Sequence, residues 1–133
     1  MIVSGNNTDM RTPLAKVRGL GSAREGTGHF WRQRLTAIAN IPLTLFFVGF
    51  LIALNGAGYT EVRAALANPF VALVLALVLI SGLIHMRLGM QVIIEDYITS
   101  EGLKLATIAL NTFFTVAVGV ASIFALLKLA FGG

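Results

Sequence analysis

His85, Asp96 and Tyr97 are the residues of this chain whose types and spacing offer chemistry. They lie in the stretch Ser81-Gly-Leu-Ile-His85-Met-Arg-Leu-Gly89-Met-Gln-Val-Ile-Ile-Glu95-Asp96-Tyr97. On an α-helix each residue advances the azimuth by about 100°, so Asp96 returns to within about 20° of His85. Ser81 and Gly89 fall about 40° to either side, one turn before and one turn after it. One face thus carries a histidine, two small residues and an acid, with the histidine and acid about 16–17 Å apart along the axis. That is roughly half the thickness of a bilayer's hydrocarbon core. With Asp96 at a membrane surface, His85 is deep inside. A buried imidazole there admits three readings: a hydrogen-bonded packing residue, a proton relay, or a haem ligand. No second intramembrane carboxylate accompanies it as a relay partner. Neutral imidazole binds iron, and small residues one turn away leave room for a flat macrocycle. The other histidine, His29, belongs at the membrane surface and should not reach the same iron, so a second axial ligand has to come from another chain.

The composition makes depth in a membrane the natural setting. Of the 133 residues, 56% are hydrophobic and only 12% are charged, about half the charged fraction of a soluble domain. Mean hydropathy is +0.84. The length leaves room for a single integral membrane domain. With no cysteine, disulfides, thiolate metal sites and iron–sulfur ligation by this chain are excluded. The net charge of +4 does not point to nucleic acid, because Arg11, Lys16, Arg18, Arg24, Arg32 and Arg34 gather before or at the first apolar segment. Such a cluster predicts a cytoplasmic N-terminus.

Three segments must position the candidate residues. Residues 1–28 read as a polar, glycine-containing lead, extended and ordered only against a partner. Its apolar core comes too late for a signal peptide, and Asp9 and Glu25 disfavour a mitochondrial presequence. Residues 29–133 form the membrane domain, with spans predicted at about 31–54, 69–95 and 103–129. Pro42 interrupts the first span, which Asn55-Gly-Ala-Gly58 closes. His29, Trp31, Arg32 and Arg34 at its start suit interfacial anchors. The link 55–68 lies on the outer side, and Asn68-Pro69 reads as N-cap and first helical residue of the second span. Arg87, Gln91 and Glu95 add a polar stripe on another side of that span. The turn 96–102 returns the chain on the cytoplasmic side, and three spans leave the C-terminus outside. Thr107, Asn111, Thr112, Thr115 and Ser122 on the third span read as helix cement or backbone bonding. His85, Arg87 and Gln91 should not face lipid, so a protein partner beside the lipid bilayer is expected.

At this point the residues resemble a known family. His85-x-x-x-Gly89-Met90 followed by Asp96-Tyr97 looks like the small membrane-anchor (D) subunit of succinate dehydrogenase, respiratory complex II. Arg34-Leu-Thr-Ala-Ile resembles the opening of that family's first helix. The wording from Met86 to Tyr97 is closest in kind to alphaproteobacterial and mitochondrial members, and the resemblance covers about residue 28 to the end. It implies an all-α membrane protein whose three transmembrane helices form half of a heterodimeric anchor bundle. It implies His85 as an axial ligand to the iron of haem b, shared with a second, cytochrome b-type anchor subunit. Ser81 and Gly89 would flank that haem, and Arg34 would lie near its propionates. Tyr97 would bond a ubiquinone carbonyl, with Asp96 beside it. FAD and iron–sulfur clusters would belong to flavoprotein and iron–sulfur partner subunits. The chain would dock those subunits in a bacterial cytoplasmic (inner) membrane and have no activity alone; Arg87 receives no catalytic role. Two alternatives stand beside this reading: the anchor of a fumarate reductase, or a small helical transporter or assembly protein whose His85 merely packs.

Overall fold

The computed structural model describes residues 12–18 and 25–132; Asp9, Arg11, Arg24 and Gly133 lie outside the described residues. It contains five helices among them: α1 (Pro13–Val17), α2 (Glu25–Ala53), α3 (Tyr59–Ala67), α4 (Pro69–Tyr97) and α5 (Glu101–Ala130). Thr27–Ala53 of α2, together with α4 and α5, are long and apolar enough to cross a membrane. At 27, 29 and 30 residues they measure about 40–45 Å, longer than a hydrocarbon core of about 30 Å, so each tilts or projects beyond it.

α2 starts six residues before its expected span, α4 ends two residues after its own, and α5 extends by one or two residues at each end, for a local reason. Apolar content marks membrane depth, whereas helix continues wherever i to i+4 partners exist. In the first turns of α2 the Arg34 guanidinium stacks over the Phe30 ring at 4.6 Å, and Arg32 Nε donates to the Gly28 carbonyl at 3.2 Å. The helix therefore starts at Glu25 rather than near Trp31 and runs through Pro42 to Ala53. Gly56 takes a φ of +81° in the turn that follows, the left-handed conformation glycine supplies without a Cβ clash. In the polar lead, where no apolar period exists, residues Pro13–Val17 form one short helix.

The link 55–68 is more ordered than a short loop. Glu61 accepts the Gly58 N–H at 2.9 Å, half of a capping box, and so starts α3. Val62, Ala65 and Leu66, at helical spacing, are half-buried as α3 rests on α4 and α5. Asn68 then caps α4 as its position predicts: Oδ1 accepts from Phe70 N at 3.0 Å and Val71 N at 3.4 Å, with Pro69 in the first turn.

The tertiary arrangement is a row. α2 and α5 each pack on α4 and, among the described residues, make no contact with one another. The α4–α5 seam closes where Gly119 lets Leu83 approach; a Cβ there would stand 3.2 Å from Leu83 Cδ1. Asn111 Nδ2 donates across the seam to the Arg87 carbonyl at 3.0 Å. Thr107, Thr112 and Thr115 return their hydroxyls to the carbonyls of Leu103, Ile108 and Asn111, as expected of threonine in an apolar helix. The buried core comprises only Leu75, Leu88, Ile94, Leu126 and Thr115 among the described residues. Large apolar side chains such as Leu45, Phe113 and Phe124 stand 66–74% exposed. Lipid and protein partners must cover them.

Removing the α4 cap gives a direct test of this geometry. Asn68→Ala should destabilise the membrane-embedded subunit by about 1 kcal/mol, read as earlier loss of helix during denaturation in sodium dodecyl sulfate. Asn68→Asp should keep most of the cap, and identical curves for the two variants would show that Asn68 does not start the helix.

Candidate functional site

The chemistry-bearing residues meet on the α2–α4 seam. The helices run antiparallel, so residues whose numbers sum to about the same value lie level. Thr36 is level with His85, and its Oγ1 stands 3.1 Å from His85 Nδ1. Gln33, one turn nearer the cytoplasmic end expected for α2, lies against Gly89: a Cβ on Gly89 would meet Gln33 Nε2 at 3.5 Å. The space expected over Gly89 is therefore occupied by an amide side chain. On the other side of His85 the seam opens. A groove of about 420 Å³ is lined by Thr36, Ala39 and Pro42 from α2 and by Ile80, Ser81 and Ile84 from α4. Ala39 and Ser81 are its small residues, set among Leu43, Leu77, Ile80 and Ile84.

Three buried polar atoms on the seam make no hydrogen bond within the described chain: His29 Nε2, Gln33 Oε1 and Ser81 Oγ. His85 is half-buried; its Nδ1 is engaged by Thr36, and Nε2 makes no bond among the described residues. Depth follows from the helix bounds. Thr36 lies eleven residues into α2 and His85 twelve before the end of α4, which puts the pair about 16–18 Å from those helix ends. His29 precedes Thr36 by seven residues, about 10 Å along the axis, so the two histidines do not share one centre.

The remaining candidates are distributed differently. α4 is continuous from Pro69 to Tyr97, so Asp96 and His85 share a face of one rigid element. Asp96 and Tyr97 close that helix, and Tyr97 is 82% exposed. Arg34 is two residues from Thr36, a rotation of about 200°. It leaves on the far side of α2 to stack on Phe30, and the fold does not bring it to His85. Arg87 is exposed, while Gln91 Nε2 donates to Glu95 Oε1 at 2.7 Å.

A haem would find a fitting donor here, on one side only. A neutral imidazole with one nitrogen held and the other open is the form that ligates iron. The adjoining groove has mostly aliphatic walls and an unpartnered buried hydroxyl, Ser81 Oγ. No group of three His, Cys, Asp or Glu side chains gathers among the described residues. A second groove of about 270 Å³, between the start of α4 and the end of α5, is lined by Ala72, Ala76, Leu126 and other apolar groups and offers dispersion contacts alone.

These features define a class: a three-span helical membrane protein, with its chemistry-bearing residues on an open helix seam. The chain belongs to the succinate dehydrogenase/fumarate reductase transmembrane subunit family, whose model matches residues 8–126. The match begins well inside the polar lead, earlier than the resemblance read from about residue 28. The chain is 35% identical over 121 residues to the succinate dehydrogenase hydrophobic membrane anchor subunit of Paracoccus denitrificans, covering 91% of this chain and 93% of that protein. It is 33% identical over 117 residues to the same-named subunit of Rickettsia bellii, covering 88% and 94%. The alphaproteobacterial cast of the motif agrees with these relatives.

Thr36 and Gln33 are the site residues that motif reading passed over. A signal for them exists: His29, Gln33, Thr36 and Asn40 fall within about 60° of one another on a helix, a polar stripe on an otherwise apolar span.

Ser81 supplies a test. Because Oγ has no partner within the chain, Ser81→Ala should leave the stability of the subunit unchanged or raise it by up to about 1 kcal/mol. Detergent denaturation of the membrane-embedded chain measures this, and a clear loss would reveal a hydrogen bond to another component.

Proposed function

We propose that this chain is the anchor of a succinate:ubiquinone oxidoreductase in the bacterial cytoplasmic membrane, and that His85 supplies one axial ligand to a haem b shared with a second, cytochrome b-type anchor subunit. The observation that carries the reading is the His85 imidazole: Nδ1 is held by Thr36, and Nε2 makes no hydrogen bond among the described residues. A bound haem b would supply one-electron chemistry at this depth. The relatives are succinate dehydrogenase anchors, which favours succinate oxidation over the fumarate reductase alternative. A packing histidine in a transporter or assembly protein has no support from that family.

The work falls to separate parts of the assembly. A flavoprotein subunit carrying FAD oxidises succinate, and an iron–sulfur subunit passes the electrons to the membrane edge. This chain docks them with the cytoplasmic ends of α2, α4 and α5, with Arg32 and Arg34 in the first turns of α2. Tyr97 ends α4 at that edge and points its hydroxyl outward, free to donate to a ubiquinone carbonyl as negative charge develops on the oxygen. Asp96 is the adjacent acid, able to orient that donor and to pass protons from the cytoplasm. Arg34 is a fixed cation about half a turn from the level of His85, suited to the haem propionates once the partner subunit closes the far side of α2. The N-terminus and the turn after α4 are cytoplasmic; α3 and the C-terminus are periplasmic.

The ligand assignment is tested by colour. His85→Ala should abolish or alter the low-spin b-type spectrum of the assembled complex, while His29→Ala, about 10 Å away along the axis, should leave it intact. An unchanged spectrum in His85→Ala refutes ligation by this residue. For the quinone site, Tyr97→Phe should retain assembly, haem and dye-linked succinate oxidation. Ubiquinone reduction should fall at least about tenfold, near 1.4 kcal/mol. Normal quinone reduction would leave Tyr97 an interfacial anchor.

A further inference from the structure

Thr36 differs from the other threonines of the bundle. Thr107, Thr112 and Thr115 each bond only backbone of their own helix. Thr36 Oγ1 lies 2.8 Å from the Arg32 carbonyl and 3.1 Å from the Gln33 carbonyl, and in addition 3.1 Å from His85 Nδ1 on another helix. A hydroxyl has one proton and two lone pairs, and a carbonyl can only accept. The shortest of the three contacts is to a carbonyl, so the proton is directed there. Oγ1 then has only lone pairs to offer the imidazole, and Nδ1 has to be the donor.

We propose that Thr36 is a positioning residue for His85: its hydroxyl oxygen accepts the Nδ1–H, fixes that tautomer and the ring orientation, and so presents the Nε2 lone pair to the open seam. The inference rests on the reading of His85 as an iron ligand and adds to it how the ligand is tuned. The opposite tautomer would put a proton on Nε2, the nitrogen that has no partner among the described residues. A donor bond at Nδ1 also makes Nε2 the stronger electron donor, as outer partners of ligating histidines do, and this favours the oxidised iron. Thr36 is well placed for the task because it sits in mid-span, where no water competes for Nδ1–H. Its β-branched side chain has few rotamers, and its own proton is already committed to the preceding turn of α2.

The test uses the assembled complex in its membrane. Thr36→Val keeps the shape and removes the acceptor. It should move the haem midpoint potential to more positive values and shift the low-spin electron paramagnetic resonance line, while Thr36→Ser restores both. Thr112→Val, which removes a purely intrahelical bond on α5, should change neither. Loss of haem in Thr36→Val with retention in Thr36→Ser supports the proposal equally. Wild-type potential and line shape in Thr36→Val overturn it, and so does a serine variant that behaves like the valine, because the methyl group and not the oxygen would then matter. His85→Ala separates the two claims. If it loses the low-spin signal while Thr36→Val is silent, the ligand stands and the positioning role falls; if it keeps the signal, both fall.

Discussion

Inside a bilayer a polar atom finds its partner within protein or goes without, and the α2–α4 seam is organised by that constraint. An imidazole in mid-span is tolerable because a threonine on the facing helix is level with it. That threonine is tolerable because it returns its own proton to the preceding turn. The same rule disposes of Thr107, Thr112 and Thr115 on α5, which bond their own backbone, and of Asn111, which reaches the Arg87 carbonyl. The exceptions are therefore informative: the buried atoms left over, Ser81 Oγ, Gln33 Oε1 and His29 Nε2, all lie on the seam that carries His85.

The row of helices explains why such a seam stays incomplete. α4 is flanked by α2 and α5, which do not touch among the described residues, so both broad faces of the layer remain open. Five buried residues are far from a self-sufficient core. In water this would be a fatal defect; in a membrane, lipid covers the apolar side chains at no hydrophobic penalty. Lipid cannot satisfy the imidazole nitrogen or the seam's amides and hydroxyls. A subunit of a larger membrane assembly, as the family membership requires, is the form in which this layer makes physical sense.

Carrying His85 and Asp96–Tyr97 on one uninterrupted helix has a consequence for the proposed chemistry. Their separation, about 16–18 Å by helical rise, is set by covalent geometry and a single hydrogen-bond ladder rather than by loop packing. An interior redox site and a surface quinone site built on it would keep their spacing whatever the partner subunits did. The Asn68 cap and Pro69 fix where that ladder begins, and the Ile98 N–H bonded to the Ile94 carbonyl closes it.

Much of this was legible in the residues alone. Apolar run lengths gave three spans, Asn68-Pro69 gave the start of α4, and the eleven-residue step placed His85 and Asp96 on one face, because these depend only on helical periodicity and local capping. Helix α3 escaped such reading because nine residues of mixed polarity show no long apolar run, and its half-buried face exists only against α4 and α5. The early start of α2 escaped too, since its first turns are held by i to i+4 polar and ring contacts rather than by hydrophobicity. Which residues meet across helices was decided by tertiary structure alone. The register of two antiparallel helices is set by how their side chains interlock, and no local signal in α2 names a residue in α4. That register put Thr36 on His85, laid Gln33 over Gly89, turned Arg34 away and opened the groove at Ser81.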